Sequence, residues 1–313
     1  MASNFDFLQK DFPVLANFGR LAEQYCYSDS NSCLMKLGMI GDTIVNLIFT
    51  YDHLPVPYEN TAVARIDVLV REGLIDRELC DILHSLRKVR TKAVHDNYAS
   101  VSEGKALLPM AYSLCEWFMQ AYGDWGYLHH DFVMPEEQSN AATADKQAEE
   151  QKEADLVKEA QAAAVAAAPI SAEERKKKAR QAASQRQKTE AETRYMIDEQ
   201  LRLVGWEADT ENLRHSKGTR PQKGHNMAIA EWPTDSTVSK KGYADYALFI
   251  GLQMVAIIEA KAEHKDIPSV IDYQGKDYPR NIRAEDAQYQ IGTWGEYKEL
   301  VMPPLMECIS QGA

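Results

Sequence analysis

Gly242-Tyr243-Ala244-Asp245-Tyr246-Ala247-Leu248-Phe249-Ile250-Gly251-Leu252-Gln253-Met254-Val255-Ala256-Ile257-Ile258-Glu259-Ala260-Lys261 is the stretch of this chain that decides its fold. It holds two short apolar runs around a glycine-containing turn, which predicts a β-hairpin with a buried second strand. Upstream, Glu190 to Leu203 predicts an amphipathic helix ending at Gly205-Trp206, and a polar stretch with Gly218, Pro221 and Gly224 follows. Downstream, Ile267 to Tyr278 returns to a helical pattern. Helix, strands and helix in this order predict a layered α/β or α+β domain over residues 189–313.

Within that domain Asp245 interrupts an apolar strand, and Glu259-x-Lys261 closes the next one. Side chains two apart on a strand share a face, so Glu259 and Lys261 point together and Ala260 points into the core. Two carboxylates converging from paired strands are hard oxygen ligands for Mg²⁺, with Mn²⁺ as a substitute, and Ala260 can add its backbone carbonyl. A cation there polarises a scissile phosphate and lowers the pKa of an attacking water, which Lys261 can orient. Each residue also has a plainer use: Glu259 and Lys261 as a salt-bridged strand end, Asp245 as a turn cap.

Outward from the hairpin the chain changes character. Residues 136–188 are rich in Ala, Gln, Glu and Lys, with six alanines around Val165, and predict a charged helical linker with little apolar surface to bury. Pro169 interrupts it, and Ser171-Ala172-Glu173-Glu174 offers a capping box for a second helix. The run Arg175-Lys176-Lys177-Lys178-Ala179-Arg180 reads as a solvated helix face or as a contact to a nucleic-acid backbone. Residues 1–135 predict a helical bundle, with apolar stripes over Cys33 to Tyr51, Ala62 to Val70, Ile75 to Val94 and Leu107 to Tyr122, and a short helix over Phe5 to Phe18. The fold class expected is therefore α + α/β: a helical bundle, a helical linker, and a mixed-sheet domain.

The hairpin and its flanks resemble the PD-(D/E)xK nuclease core, and more closely the N-terminal endonuclease domain of type I restriction enzyme R subunits. Those subunits begin the domain with an acidic helix and a Gly-Trp, as in Glu192-Thr193-Arg194 through Ile197-Asp198 to Gly205-Trp206. They carry a QxxxY motif after the ExK strand, as in Gln274-Gly275-Lys276-Asp277-Tyr278. The resemblance implies a restriction-endonuclease-like fold for 189–313, metal binding by Asp245 and Glu259, and a catalytic Lys261. It also implies a supporting role in DNA cleavage for Gln274 and Tyr278, and an additional acid at Glu192. Further implied are double-stranded DNA as substrate and partnership with methylation and specificity subunits. ATP would act only through motor domains; these residues contain no G-x-x-x-x-G-K-[ST] loop, and the chain reads as the N-terminal piece of such a subunit.

The helical bundle has a second candidate. Arg90 and His95 in Arg90-Thr91-Lys92-Ala93-Val94-His95 resemble the RxxxxH signature of HEPN-type domains, in some of which Arg steadies phosphate and His relays a proton in RNA cleavage. A structural His at a helix end is the alternative, and a non-catalytic assembly module is a rival for the whole chain. His129-His130-Asp131 could ligate metal or form a domain-edge cluster.

Composition bounds these readings. A net charge of −12 over 313 residues, with pI near 5.2, excludes a protein that coats nucleic acid by bulk electrostatics but leaves room for a local basic groove. No run approaches the roughly 18 consecutive apolar residues of a membrane span, and Met1 to Asp11 has no basic apolar leader. Five scattered cysteines (Cys26, Cys33, Cys80, Cys115, Cys308) without CxxC spacing predict free thiols. The expectation is a soluble cytoplasmic protein of two domains, with no membrane partner.

Overall fold

The structure is a computed structural model, and it describes residues 3–124, 126–137, 146–186, 190–234, 242–258 and 283–289. The chain divides into two compact units, Met1–Gln187 and Lys188–Ala313.

The first unit is helical: α1 (Pro13–Tyr25), α2 (Ser30–Tyr51), α3 (Ala62–Arg71), α4 (Arg77–His95), α5 (Val101–Tyr122), α6 (Lys146–Ala166) and α7 (Ala172–Gln185). The expected short helix over Phe5 to Phe18 is instead a 3₁₀ turn, Asn4–Leu8, followed by α1. Pro13 explains the split. It starts α1 as its first residue and forces Phe12 before it out of helical geometry. Helix starts follow side-chain caps, with Asp29, Thr61, Asp76 and Ser100 each accepting a backbone N–H from the first turn.

Helix α2 is the centre of the bundle. Leu34, Leu37, Ile40, Ile44, Leu47 and Ile48 are all fully buried, and the helix packs against α1, α4, α5 and α6. By length and composition α2 could cross a membrane, but most of it is buried inside the bundle. Its neighbours already provide the apolar surroundings, as expected for a core helix.

The expected linker is corrected in its described part. Helices α6 and α7 form as the alanines and the Ser171 cap predict, with Ser171 Oγ accepting from the Glu174 amide. They are nevertheless packed on the bundle and belong to the first unit. The reason lies in small residues and paired charges. Ala164, Ala179 and Ala182 are buried where the helices approach closely, and Trp117 Nε1 donates to the Ala179 carbonyl at 3.0 Å. Buried Lys36 of α2 holds Glu153, and also Glu149 at 3.2 Å. Arg175, first of the basic run, is buried rather than solvated. It pairs with Asp52 at 2.9 Å, donates to the Ala121 carbonyl at 2.6 Å, and lies over the Tyr122 ring at 4.1 Å.

The second unit opens with α8 (Glu190–Leu203), which has the bounds expected. Among the described residues a mixed four-stranded sheet follows, in the order β1 (Glu207–Ala208), β2 (Asn226–Pro233), β3 (Tyr243–Ile250), β4 (Gln253–Ile258). Strand β1 runs parallel to β2, and the other two pairs are antiparallel. The β3–β4 hairpin is the expected one, whereas β2 forms where a polar stretch was expected. Ala228 and Ala230 of β2 pack with Ile197 and Leu201 of α8, so the helix sits close on small side chains. Met227, Ile229, Trp232, Ala244, Phe249 and Ile257 form the core on the other face. The predicted helix Ile267 to Tyr278 lies outside the described residues.

Candidate functional site

Asp245 is 2% exposed and lies on β3, one of the two inner strands. It falls between two register pairs, Ala230↔Tyr246 and Trp232↔Ala244, as does Glu231 on β2. Here the sheet changes face. Ala230 and Tyr246 pack in the α8 layer, yet two residues along each strand Trp232 and Ala244 pack in the opposite layer. Regular alternation keeps positions two apart on the same face, so both strands break alternation at an acidic residue. The break has a backbone signature: Glu231 has φ of 52°, in the left-handed region that a non-glycine side chain rarely adopts.

Both acids reach α8. Arg194 donates from Nη2 to Asp245 Oδ1 at 3.3 Å, and its Nη1 lies 3.5 Å from Glu231 Oε1. Arg214 approaches the same Glu231 oxygen at 3.3 Å. Helix α8 is held over the sheet by a polar network beneath this cluster. Tyr246 Oη lies 2.5 Å from Thr210 Oγ1 and donates to the Arg194 carbonyl at 3.2 Å, while the Thr210 amide donates to Asp198 Oδ2 at 2.7 Å. Burial raises the pKa of Asp198 above the ordinary aspartate value, partly opposed by the Thr210 bonds, and burial also keeps Tyr246 protonated. These contacts fix the Arg194 turn of the helix against Asp245.

Of the residues singled out from sequence, Asp245 is the one whose side chain the structure describes at this place. Glu259, Ala260, Lys261, Gln274 and Tyr278 lie outside the described residues. Glu192 lies in α8, and its side chain is likewise not described. Glu231 and Arg214 are not among the residues that the sequence reading singles out, nor is the ion-pairing role of Arg194. The available signal was an acid inside the apolar run Ala228-Ile229-Ala230-Glu231-Trp232.

In the first unit, the Arg90 guanidinium pairs with Asp42 of α2, and His95 is exposed in the last turn of α4. The aliphatic stem of Arg90 is seated on Gly38: a Cβ there would lie 2.2 Å from Arg90 Cβ. Gly38→Ala is therefore expected to push α2 and α4 apart and destabilise the chain by about 1–3 kcal/mol, which exceeds the gain in helix propensity. Urea unfolding checks this, and an unchanged midpoint would show that the contact yields freely. Glu116, buried on α5, gathers Tyr127 Oη at 2.9 Å, His129 Nδ1 at 2.7 Å and the His130 amide at 3.2 Å, so this histidine pair pins the segment after α5. Among the described residues, no group of three or more His, Cys, Asp or Glu is placed to hold a metal ion. The four described cysteines are free thiols.

Residues 207–303, which begin at β1 and run past β4, match the family model described as type I restriction enzyme EcoKI endonuclease subunit second domain. That match, together with the next, relates the chain to the endonuclease subunits of type I restriction enzymes. The particular relative is the type I restriction enzyme EcoKI endonuclease subunit of Escherichia coli (strain K12), 30% identical over 324 aligned positions. The alignment covers 85% of this chain, which spans 27% of that subunit's length. No solved structure matches the chain.

Proposed function

We propose that this chain is the endonuclease portion of a type I restriction subunit, that its second unit has the PD-(D/E)xK nuclease fold, and that it hydrolyses phosphodiester bonds of double-stranded DNA with Mg²⁺. One observation carries the reading. The antiparallel register of β3 and β4 includes Tyr246↔Ile258, which leaves buried Asp245 and, next in sequence, Glu259 as the following pair. Directly opposed residues have Cβ atoms about 5 Å apart, but Asp245 is turned to the α8 face by the break in β3, so the two carboxylates take one ion only where β4 makes the same face change at Glu259. The reading thus requires the ladder to continue for one more residue.

The donor chemistry fits. Asp245 supplies a buried hard oxygen next to a second acid, Glu231, and Glu259 would complete the set. A bound Mg²⁺ would polarise the phosphate and acidify a water. Asp245 and Glu259 hold that cation in this reading, with the Ala260 carbonyl as a further oxygen. Lys261 would orient the water and offset charge developing on the phosphate. Gln274 and Tyr278 support the DNA, and Glu192 is an additional acid on α8. Target recognition would come from methylation and specificity subunits, and ATP would enter only through motor domains. The cytoplasm is the compartment that suits such an assembly. The rival RNase centre has less behind it, since Arg90 is engaged by Asp42 and its stem is packed on Gly38.

The test is calorimetric titration of the chain with Mn²⁺. Binding is expected to fall at least about tenfold in Asp245→Asn, the loss of a charged ligand contact, and to be unchanged in His95→Ala. Equal affinity in wild type and Asp245→Asn would remove the metal centre from this place.

A further inference from the structure

We infer that Arg194 is a built-in counter-cation of this site, which a divalent ion must displace from Asp245, and that Glu231 receives the displaced guanidinium. The inference rests on the nuclease reading and adds to it a control on metal loading.

The argument begins with desolvation. An aspartate 2% exposed is costly as an anion unless a positive charge lies against it. One such charge is the Arg194 guanidinium, itself on a residue 8% exposed and 3.3 Å from the Asp245 oxygen. A divalent ion on the same carboxylate would meet that guanidinium at close range in a poorly screened setting, so the two cations compete. The guanidinium has somewhere to go. Its other terminal nitrogen already faces Glu231 at 3.5 Å, and a small rotation shifts its weight from one acid to the other. Glu231 is 24% exposed at its side chain, is shared with Arg214, and keeps its unfavourable φ of 52°. A left-handed glutamate in a strand is strained and persists only where its surroundings hold it. The face change at Glu231 and Asp245 turns both acids toward one arginine of α8, which ordinary alternation would not do.

The test uses the whole chain, titrated with Mn²⁺ and melted with and without it. Arg194→Gln is expected to bind Mn²⁺ about tenfold more tightly, since removing a competitor returns its coupling energy to the ligand. It should melt lower than wild type without metal and recover with saturating Mn²⁺, which a merely structural arginine would not do. Glu231→Gln, at a partly exposed side chain, should bind Mn²⁺ several-fold more weakly, because Arg194 loses its anionic alternative. In Arg194→Gln/Glu231→Gln that weakening should vanish, the non-additivity of coupled residues. If Asp245→Asn loses Mn²⁺ binding but Arg194→Gln binds no more tightly than wild type, the counter-cation role is refuted while the nuclease reading stands. If Arg194→Gln does not fold, an unchanged affinity in Glu231→Gln refutes it. If Asp245→Asn binds Mn²⁺ like wild type, both proposals fall together.

Discussion

Lys261→Ala is expected to lower DNA cleavage by a restriction complex containing this chain at least about a hundredfold, the usual loss on removing a charge that stabilises a transition state. ATP hydrolysis and translocation should be unaffected, because in the proposed function ATP would enter only through motor domains. Two positions from Glu259 along a strand, Lys261 would lie on the same side as that proposed metal ligand. Its ammonium is then needed at the developing negative charge, and a neutral methyl cannot replace it. His95→Ala should leave cleavage nearly unchanged, since His95 is an exposed residue in the last turn of α4. Linearisation of circular DNA and ATP turnover, measured in the same preparations, decide the matter. Lost cleavage in His95→Ala with retained cleavage in Lys261→Ala would move the active site to the first unit.

The largest stability effect should come from Arg175. Its guanidinium is buried with Asp52 at 2.9 Å, donates to the Ala121 carbonyl at 2.6 Å, and covers the Tyr122 ring. Arg175→Ala leaves Asp52 with the Tyr122 hydroxyl but no cation, and the Ala121 carbonyl without its guanidinium donor; removing one member of a buried pair costs about 3–5 kcal/mol. Lys177→Ala, an exposed change in the same basic run, should stay within about 0.5 kcal/mol of wild type. Denaturant unfolding compares the two. A loss below about 1 kcal/mol in Arg175→Ala would show that α7 is held by other contacts. The comparison matters for function as well, because Arg175 is committed to the bundle and only Lys176, Lys177, Lys178 and Arg180 of the run are left to meet a nucleic-acid backbone.

Much of the candidate site's setting was legible before any coordinates. The hairpin was readable because Tyr243 to Ile250 and Met254 to Ile258 are apolar and are separated by Gly251, and the helix Glu190 to Leu203 because its apolar positions recur at helical spacing. Asp245 stood out because a charge in an apolar strand needs a reason. Strand β2 did not stand out. Asn226 to Pro233 contains two alanines, a glutamate and a terminal proline, all poor strand formers, and it is a strand because β3 lies beside it.

Local pattern therefore determined the helices of the bundle, α8 and the β3–β4 hairpin, since periodicity and turn chemistry act over a few residues. Tertiary structure alone decided three other things: that α6 and α7 close onto the bundle, that Arg175 is buried while its neighbours are not, and that Asp245, Glu231 and Arg194 meet. Those outcomes turn on residues far apart in sequence sharing one desolvated volume, where a charge is stable only beside its partner. No window along the chain contains both members of the Arg175–Asp52 pair, and none contains Arg194 with either of its acids.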